Sequence, residues 1–237
     1  MFTTRFQAWV RRLAMRAMAR AQRLPITPNQ LTITGLAITC LAAALVALDH
    51  PFTGGVVLLF AGVFDIFDGA LARASNRSYP YGAFLDSTTD RMSEGVIMIS
   101  LAVYFERRGI AVGPVLVVLA TAGSYLVSYV RARAQSLGFT CEGGLLARPE
   151  RVLLTVLGLL LTPIHPGGLL AVVAILAVFT NFTAIQRVWI VWRQSRAAIE
   201  PERQVQPELE RTPLPPEPVR AKGEEIEVRP GPEPAGG

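Results

Sequence analysis

The chain has 237 residues, 51% of them hydrophobic, and carries a net charge of +5 with only two cysteines and two histidines. That composition excludes a disulfide-stapled secreted domain and leaves no Cys/His spacing for a zinc or iron–sulfur centre. It points to a membrane protein whose basic surface faces anionic headgroups or an anionic substrate.

The opening stretch, MFTTRFQAWVRRLAMRAMARAQR, has arginines throughout and no unbroken apolar core, so it does not read as a secretory signal. Phe2, Phe6, Trp9, Val10, Leu13 and Ala17 share one helical face, which predicts an amphipathic helix over 1–24 lying in the membrane interface. In ITPNQLT, Thr27 is placed as an N-cap and Pro28 at the first helical position. Six apolar segments follow at about 31–49, 52–72, 84–106, 110–134, 150–165 and 167–192, the fifth being short. Pro51, Gly54–Gly55, Gly113–Pro114 and Pro163–Pro166–Gly167–Gly168 mark the breaks. The expected fold is therefore an all-α polytopic membrane protein, with six transmembrane helices in a domain over 25–194 preceded by the interfacial helix. The tail, 195–237, holds nine of the seventeen prolines and nine of the eighteen acids and almost no large apolar residue, so it is expected to be disordered.

All the positive charge before the tail is arginine. It gathers in the N-terminal segment, at Arg73 and Arg77, at Arg131, Arg133, Arg148 and Arg151, and at Arg187, Arg193 and Arg196. In a six-span topology these regions share one side, which the positive-inside rule makes cytoplasmic, with both termini inside a cell-membrane protein. Arg107–Arg108, in an outer turn, is the exception.

Four aspartates fall on that cytoplasmic side. Asp65, Asp68, Gly69 and Ala72 are spaced i, i+3, i+4, i+7, and Asp86 and Asp90 are spaced i, i+4, so each set occupies one helical face. Two sequential helices can bring the four carboxylates together, and uncompensated they would repel, so a cation is expected among them. Oxygen ligands without Cys or His favour Mg²⁺ or Mn²⁺, and four carboxylates suffice for two ions, an arrangement suited to displacement at phosphorus. Carboxylates in membrane segments also mark ion pathways, so a carboxylate-based cation transporter stands beside the metalloenzyme.

The full pattern, D-x2-D-G-x2-A-R, eight residues, Gly82, three residues, Asp86, three residues, Asp90, resembles the signature of the CDP-alcohol phosphotransferases, with every fixed position filled. The resemblance covers the chain except its tail. It implies a membrane enzyme that moves a phosphatidyl group from a CDP-linked lipid, CDP-diacylglycerol, onto an alcohol and releases CMP. It implies that Asp65, Asp68, Asp86 and Asp90 hold two metal ions, that Asp90 is the general base, and that Gly69 and Arg73 contact the CDP moiety. Asn29, Gln30, Leu31 and Thr32, with Tyr79 in the loop, complete the nucleotide pocket of the family; a helix start and an interfacial tyrosine are equally good accounts of these residues. The resemblance also implies a homodimer, with membrane lipids and no nucleic acid among the partners.

The segment 128–151, SYVRARAQSLGFTCEGGLLARPER, is similar to that of the phosphatidylinositol-phosphate synthases and their archaeal lipid counterparts. In that branch the positions matching Ser128, Arg131, Arg133, Arg148 and Arg187 bind the phosphate of inositol 1-phosphate; Arg151 is grouped with them here. Arg131 stands where a lysine is common in that branch, keeping the charge and changing the geometry. The favoured acceptor is inositol 1-phosphate; glycerol 3-phosphate, which would make the protein a phosphatidylglycerophosphate synthase, is the alternative.

Overall fold

A computed structural model describes residues 27–74, 80–141, 143–144, 146–165 and 167–211; of residues 28, 63, 66–74 and 198–211 it describes only the helical backbone. The expected helix over 1–24, Tyr79 and residues 212–237 lie outside the described residues. Among the described residues there are six α-helices and no strand: α1 (Pro28–Ala47), α2 (Pro51–Ala74), α3 (Pro80–Arg107), α4 (Val112–Ser136), α5 (Arg148–Leu160) and α6 (Gly168–Arg211). The chain divides into two compact units, Met1–Gln194 and Ser195–Gly237.

The start of α1 follows its sequence signal. Thr27 Oγ1 accepts from the Gln30 N–H at 3.3 Å, and Gln30 Oε1 accepts from the Thr27 N–H at 2.9 Å, with Pro28 in the first turn. This capping box satisfies donors that a helix start leaves open. At the other end, Arg107 Nη1 donates to the Ala47 carbonyl at 2.6 Å, and Arg108 donates to both oxygens of Asp49 at 2.8 and 2.9 Å. The arginine pair that breaks the topological charge rule thus closes the α1–α2 turn. Arg108 also holds the Asp49 carboxyl below the usual carboxylate range.

Packing places α1 against both α2 and α3, α3 against α4, and α2 against α5. Val46, Leu101, Phe105, Leu159, Leu169, Val173 and Leu176 are fully buried in one core. The contact between α4 and α6 is close and partly polar. Asn181 Nδ2 donates to the Leu119 carbonyl at 2.9 Å, and a Cβ on Gly123 would lie 2.8 Å from the Asn181 backbone nitrogen. Gly123→Ala is therefore expected to force the two helices apart and cost about 1–3 kcal/mol, read as a lower thermal midpoint in detergent.

Val118, Phe182, Ile185, Val188 and Trp189 are exposed on the outer surfaces of α4 and α6. A large apolar surface of this kind suits lipid rather than water. Among the described residues three helices are long and apolar enough to cross a membrane, Asn29–Ala47, Val112–Ser136 and Gly168–Ala197, as suits a membrane-associated protein.

Two expectations differ from the structure. The fifth expected span, 150–165, is a helix of 13 residues that stops at Leu160 and passes into a turn over 161–164 containing Pro163. At 1.5 Å per residue its length is roughly 20 Å, short of the ~30 Å hydrocarbon core. The tail expected to be disordered from residue 195 is helical through Arg211. The six residues before Pro201, SRAAIE, have fair helix propensity and extend a helix already nucleated, where the composition argument considered only core burial; the continuation past Pro201 and Pro207 has no propensity argument behind it.

Candidate active site

The carboxylates come from two helices. Asp65 lies on α2, and Asp86 and Asp90 lie one turn apart on α3; one oxygen from each falls within 4.8 Å of the others. Asp68, Gly69 and Arg73 follow on α2, but their side chains lie outside the described part of the structure. The donor chemistry fits a divalent cation. Three anionic oxygens converge with no Cys or His among them, a set that favours a hard ion and repels itself without one.

A guanidinium bridges the two helices at this point. Arg148, the first residue of α5, places Nη1 at 2.8 Å from Asp65 Oδ2 and Nη2 at 2.7 Å from Asp90 Oδ1. Arg91 Nη2 lies 3.4 Å from the other Asp90 oxygen. Asp90 is held from two sides, its side chain 13% exposed, and Asp86 is left on the open side of the cluster.

Behind the carboxylates a cavity runs between α1, α2, α3 and α5, with Thr32, Thr39, Thr89, Ser93, Glu94 and Thr155 supplying polar walls. The hydroxyls of Thr39, Thr89 and Thr155 donate to carbonyls of their own helices, each at 2.9 Å. Such bonding lets threonines line a membrane cavity without leaving donors unmet. Thr32 reaches this cavity, whereas Leu31 is buried at 9% exposure and Gln30 is committed to the cap. Asn29 Oδ1 lies 3.4 Å from where a Cβ on Gly82 would sit, so the start of α1 and the start of α3 are neighbours at this end of the site.

The six residues grouped for an acceptor phosphate separate into distinct environments. Arg151, at the wall of the cavity, is committed to a buried ion pair: it is 2% exposed, its Nε and Nη2 lie 2.7 and 3.1 Å from the Glu94 carboxylate, and its Nη1 donates to the Leu146 carbonyl at 3.3 Å. The physical reason is burial, since a guanidinium at this depth needs a carboxylate partner. Arg148 faces the aspartates. Arg187 is 4% exposed and donates through Nη1 to the Val127 carbonyl at 2.7 Å and through Nε to the Gly143 carbonyl at 2.9 Å. Gly144, with φ of +149°, admits it, because a Cβ there would lie 2.7 Å from Thr183 Cγ2 and 3.3 Å from Arg187 Nε. Ser128 Oγ donates to the Ser124 carbonyl at 3.1 Å. Arg131 and Arg133 are exposed near the end of α4.

Glu94 was missed in the sequence. The signal was present, since Asp86, Asp90 and Glu94 repeat every four residues along α3 and share a face.

Known proteins carry the same arrangement of sequence and fold. The chain is 38% identical over 175 residues to the archaetidylinositol phosphate synthase of Methanothermobacter thermautotrophicus, covering 73% of this chain and 87% of the relative. The crystal structure of Mycobacterium tuberculosis phosphatidylinositol phosphate synthase with CDP-DAG bound matches with a TM-score of 0.70 at 29% identity, covering 76% of this chain and 94% of that one. The same enzyme in complex with manganese and citrate matches with a TM-score of 0.67 at 29% identity, covering 77% and 88%. The CDP-alcohol phosphatidyltransferase model matches residues 25–193, a range that holds every carboxylate and arginine of the site. On that match and these relatives, the chain belongs to the CDP-alcohol phosphatidyltransferase family.

Proposed function

We propose that the protein is a phosphatidylinositol-phosphate synthase, which transfers the phosphatidyl group of CDP-diacylglycerol to inositol 1-phosphate and releases CMP. The observation that carries this reading is the convergence of Asp65, Asp86 and Asp90 to within 4.8 Å, on a face to which α5 adds Arg148. The relatives named for inositol phosphate lipids support the choice of acceptor.

Asp65, Asp68, Asp86 and Asp90 would hold two Mg²⁺ ions, with Mn²⁺ as a substitute; the ions supply charge neutralisation on the pyrophosphate and on the departing CMP. Gly69, lacking a side chain, lets the nucleotide lie against α2, and Arg73 pairs with a phosphate. Asn29, Gln30, Leu31 and Thr32 at the start of α1, together with Tyr79, are the residues proposed to recognise the nucleotide. Asp90, oriented by Arg148, accepts the proton of the acceptor hydroxyl as its oxygen attacks phosphorus and the bond to the CMP oxygen breaks. Ser128, Arg131, Arg133, Arg148 and Arg187 receive the acceptor phosphate; Arg151 serves the fold. Gly144→Ala is then expected to displace Arg187 and raise the acceptor KM several-fold while the KM for the CDP-lipid stays within twofold, which steady-state kinetics would read.

The placement of arginines supports six membrane passes, the short α5 being accommodated by local thinning of the bilayer, within a catalytic domain over 25–194, with an interfacial helix over 1–24, a cytoplasmic site and cytoplasmic termini in a cell-membrane protein. A homodimer is the assembly proposed, from the family resemblance. The reading is tested by supplying CDP-diacylglycerol with inositol 1-phosphate or with glycerol 3-phosphate to purified protein. Product from inositol 1-phosphate is expected; product from glycerol 3-phosphate alone would make the enzyme a phosphatidylglycerophosphate synthase instead.

A further inference from the structure

The first turn of α5 carries Arg148 and Arg151, and α3 carries Asp90 and Glu94 four residues apart, so two arginines face two acids across the same pair of helices. Arg148 meets Asp90 at 2.7 Å, and one turn further along both helices Arg151 meets Glu94 at 2.7 Å. The second rung is the deeper. Side-chain exposure is 3% for Arg151 and 5% for Glu94, against 24% for Arg148. Arg151 also donates to the Leu146 carbonyl, in the segment that leads into α5. It thereby ties the beginning of this helix to α3 and to its own leader.

An ion pair at this depth gains little over an apolar pair of equal volume, because desolvation offsets most of the Coulomb attraction. What it does supply is a fixed direction: a two-pronged contact sets both the height and the rotation of α5. Arg148 is the residue that this setting delivers, three positions earlier on the same short helix. We propose that Glu94 and Arg151 are positioning residues that set the first turn of α5 so that Arg148 reaches Asp65 and Asp90, where its charge competes with a divalent cation for the same oxygens. The proposal rests on the metal-ligand reading of the aspartates.

The test is Mn²⁺ binding to the purified full-length protein, with free Mn²⁺ followed by electron paramagnetic resonance, in a double-mutant cycle of Glu94→Gln and Arg148→Gln. Glutamine at 94 keeps the shape and an acceptor oxygen but removes the charge. Arg148→Gln is expected to tighten Mn²⁺ binding by roughly tenfold, the scale on which groups around a metal's ligands act. Glu94→Gln is expected to tighten it by a smaller factor, and to add nothing once Arg148 is already replaced. Effects that multiply independently, or weaker binding in the Glu94→Gln protein, would overturn the positioning role alone. Wild-type protein that binds no Mn²⁺ would overturn the metal reading and the proposal with it. If Glu94→Gln is not recovered folded, Arg151→Lys, which keeps the charge and loses the fork, takes its place in the cycle with the same expected signs.

Discussion

Asp86→Asn is expected to reduce metal-dependent CMP release by about three orders of magnitude while leaving the fold intact. The carboxylate lies on the open side of the cluster, and an oxygen of it falls within 4.8 Å of oxygens of Asp65 and Asp90. Asparagine has nearly the same shape, so the change removes one negative charge and one anionic ligand and little else. Because that charge is crowded by two others, its loss relieves repulsion, and the thermal midpoint should stay level or rise. A CMP-release assay beside a thermal melt reads both. A cation transporter built on the same carboxylates predicts ion flux lost in this variant and no CMP release in the wild type; a metal-dependent transferase predicts the opposite. A fall in activity accompanied by a large fall in melting temperature would assign Asp86 to folding instead.

The largest effect on stability is expected at Glu94→Ala. It leaves the Arg151 guanidinium, 2% exposed, without its carboxylate. Breaking one side of a buried pair costs about 3–5 kcal/mol, because the remaining charge can neither be solvated nor paired. The loss should appear as a clear drop in the midpoint of thermal denaturation in detergent, larger than that of Gly123→Ala. Replacing both members by apolar residues, as in the Glu94→Leu and Arg151→Met double variant, is expected to recover most of it. A double variant no more stable than Glu94→Ala would show that the pair's hydrogen bonds, rather than the stranded charge, hold the helices.

Much of this architecture was legible from local signals. The apolar runs and the breaks between them located the six helices of the described residues, and Thr27 with Pro28 located the start of α1. The pairing of Asp86 with Asp90 was legible because i+4 spacing on α3 is a property of one helix, whereas Asp65 joins them from α2 through a tertiary contact. The arginines were not legible in the same way. Arg151 looks in sequence like another basic residue at a cytoplasmic helix end, and its role is decided by Glu94, 57 residues away. Arg187 is likewise placed by carbonyls 44 and 60 residues distant. Charge placement predicts the side of a membrane; it does not tell which guanidinium is buried against a carboxylate and which faces a ligand. The short α5 was misjudged for a related reason. Apolar length sets an upper bound on a span, whereas the turn at 161–164 ends this helix early.

The central claim is a metal-dependent phosphatidyl transfer to inositol 1-phosphate. It is tested most directly by quantifying CMP and phosphatidylinositol phosphate together, in proteoliposomes supplied with CDP-diacylglycerol, inositol 1-phosphate and Mg²⁺. Equal amounts of the two products, both lost on addition of EDTA and restored by Mn²⁺, are predicted. CMP released without the phospholipid, or product formation indifferent to EDTA, would contradict the account.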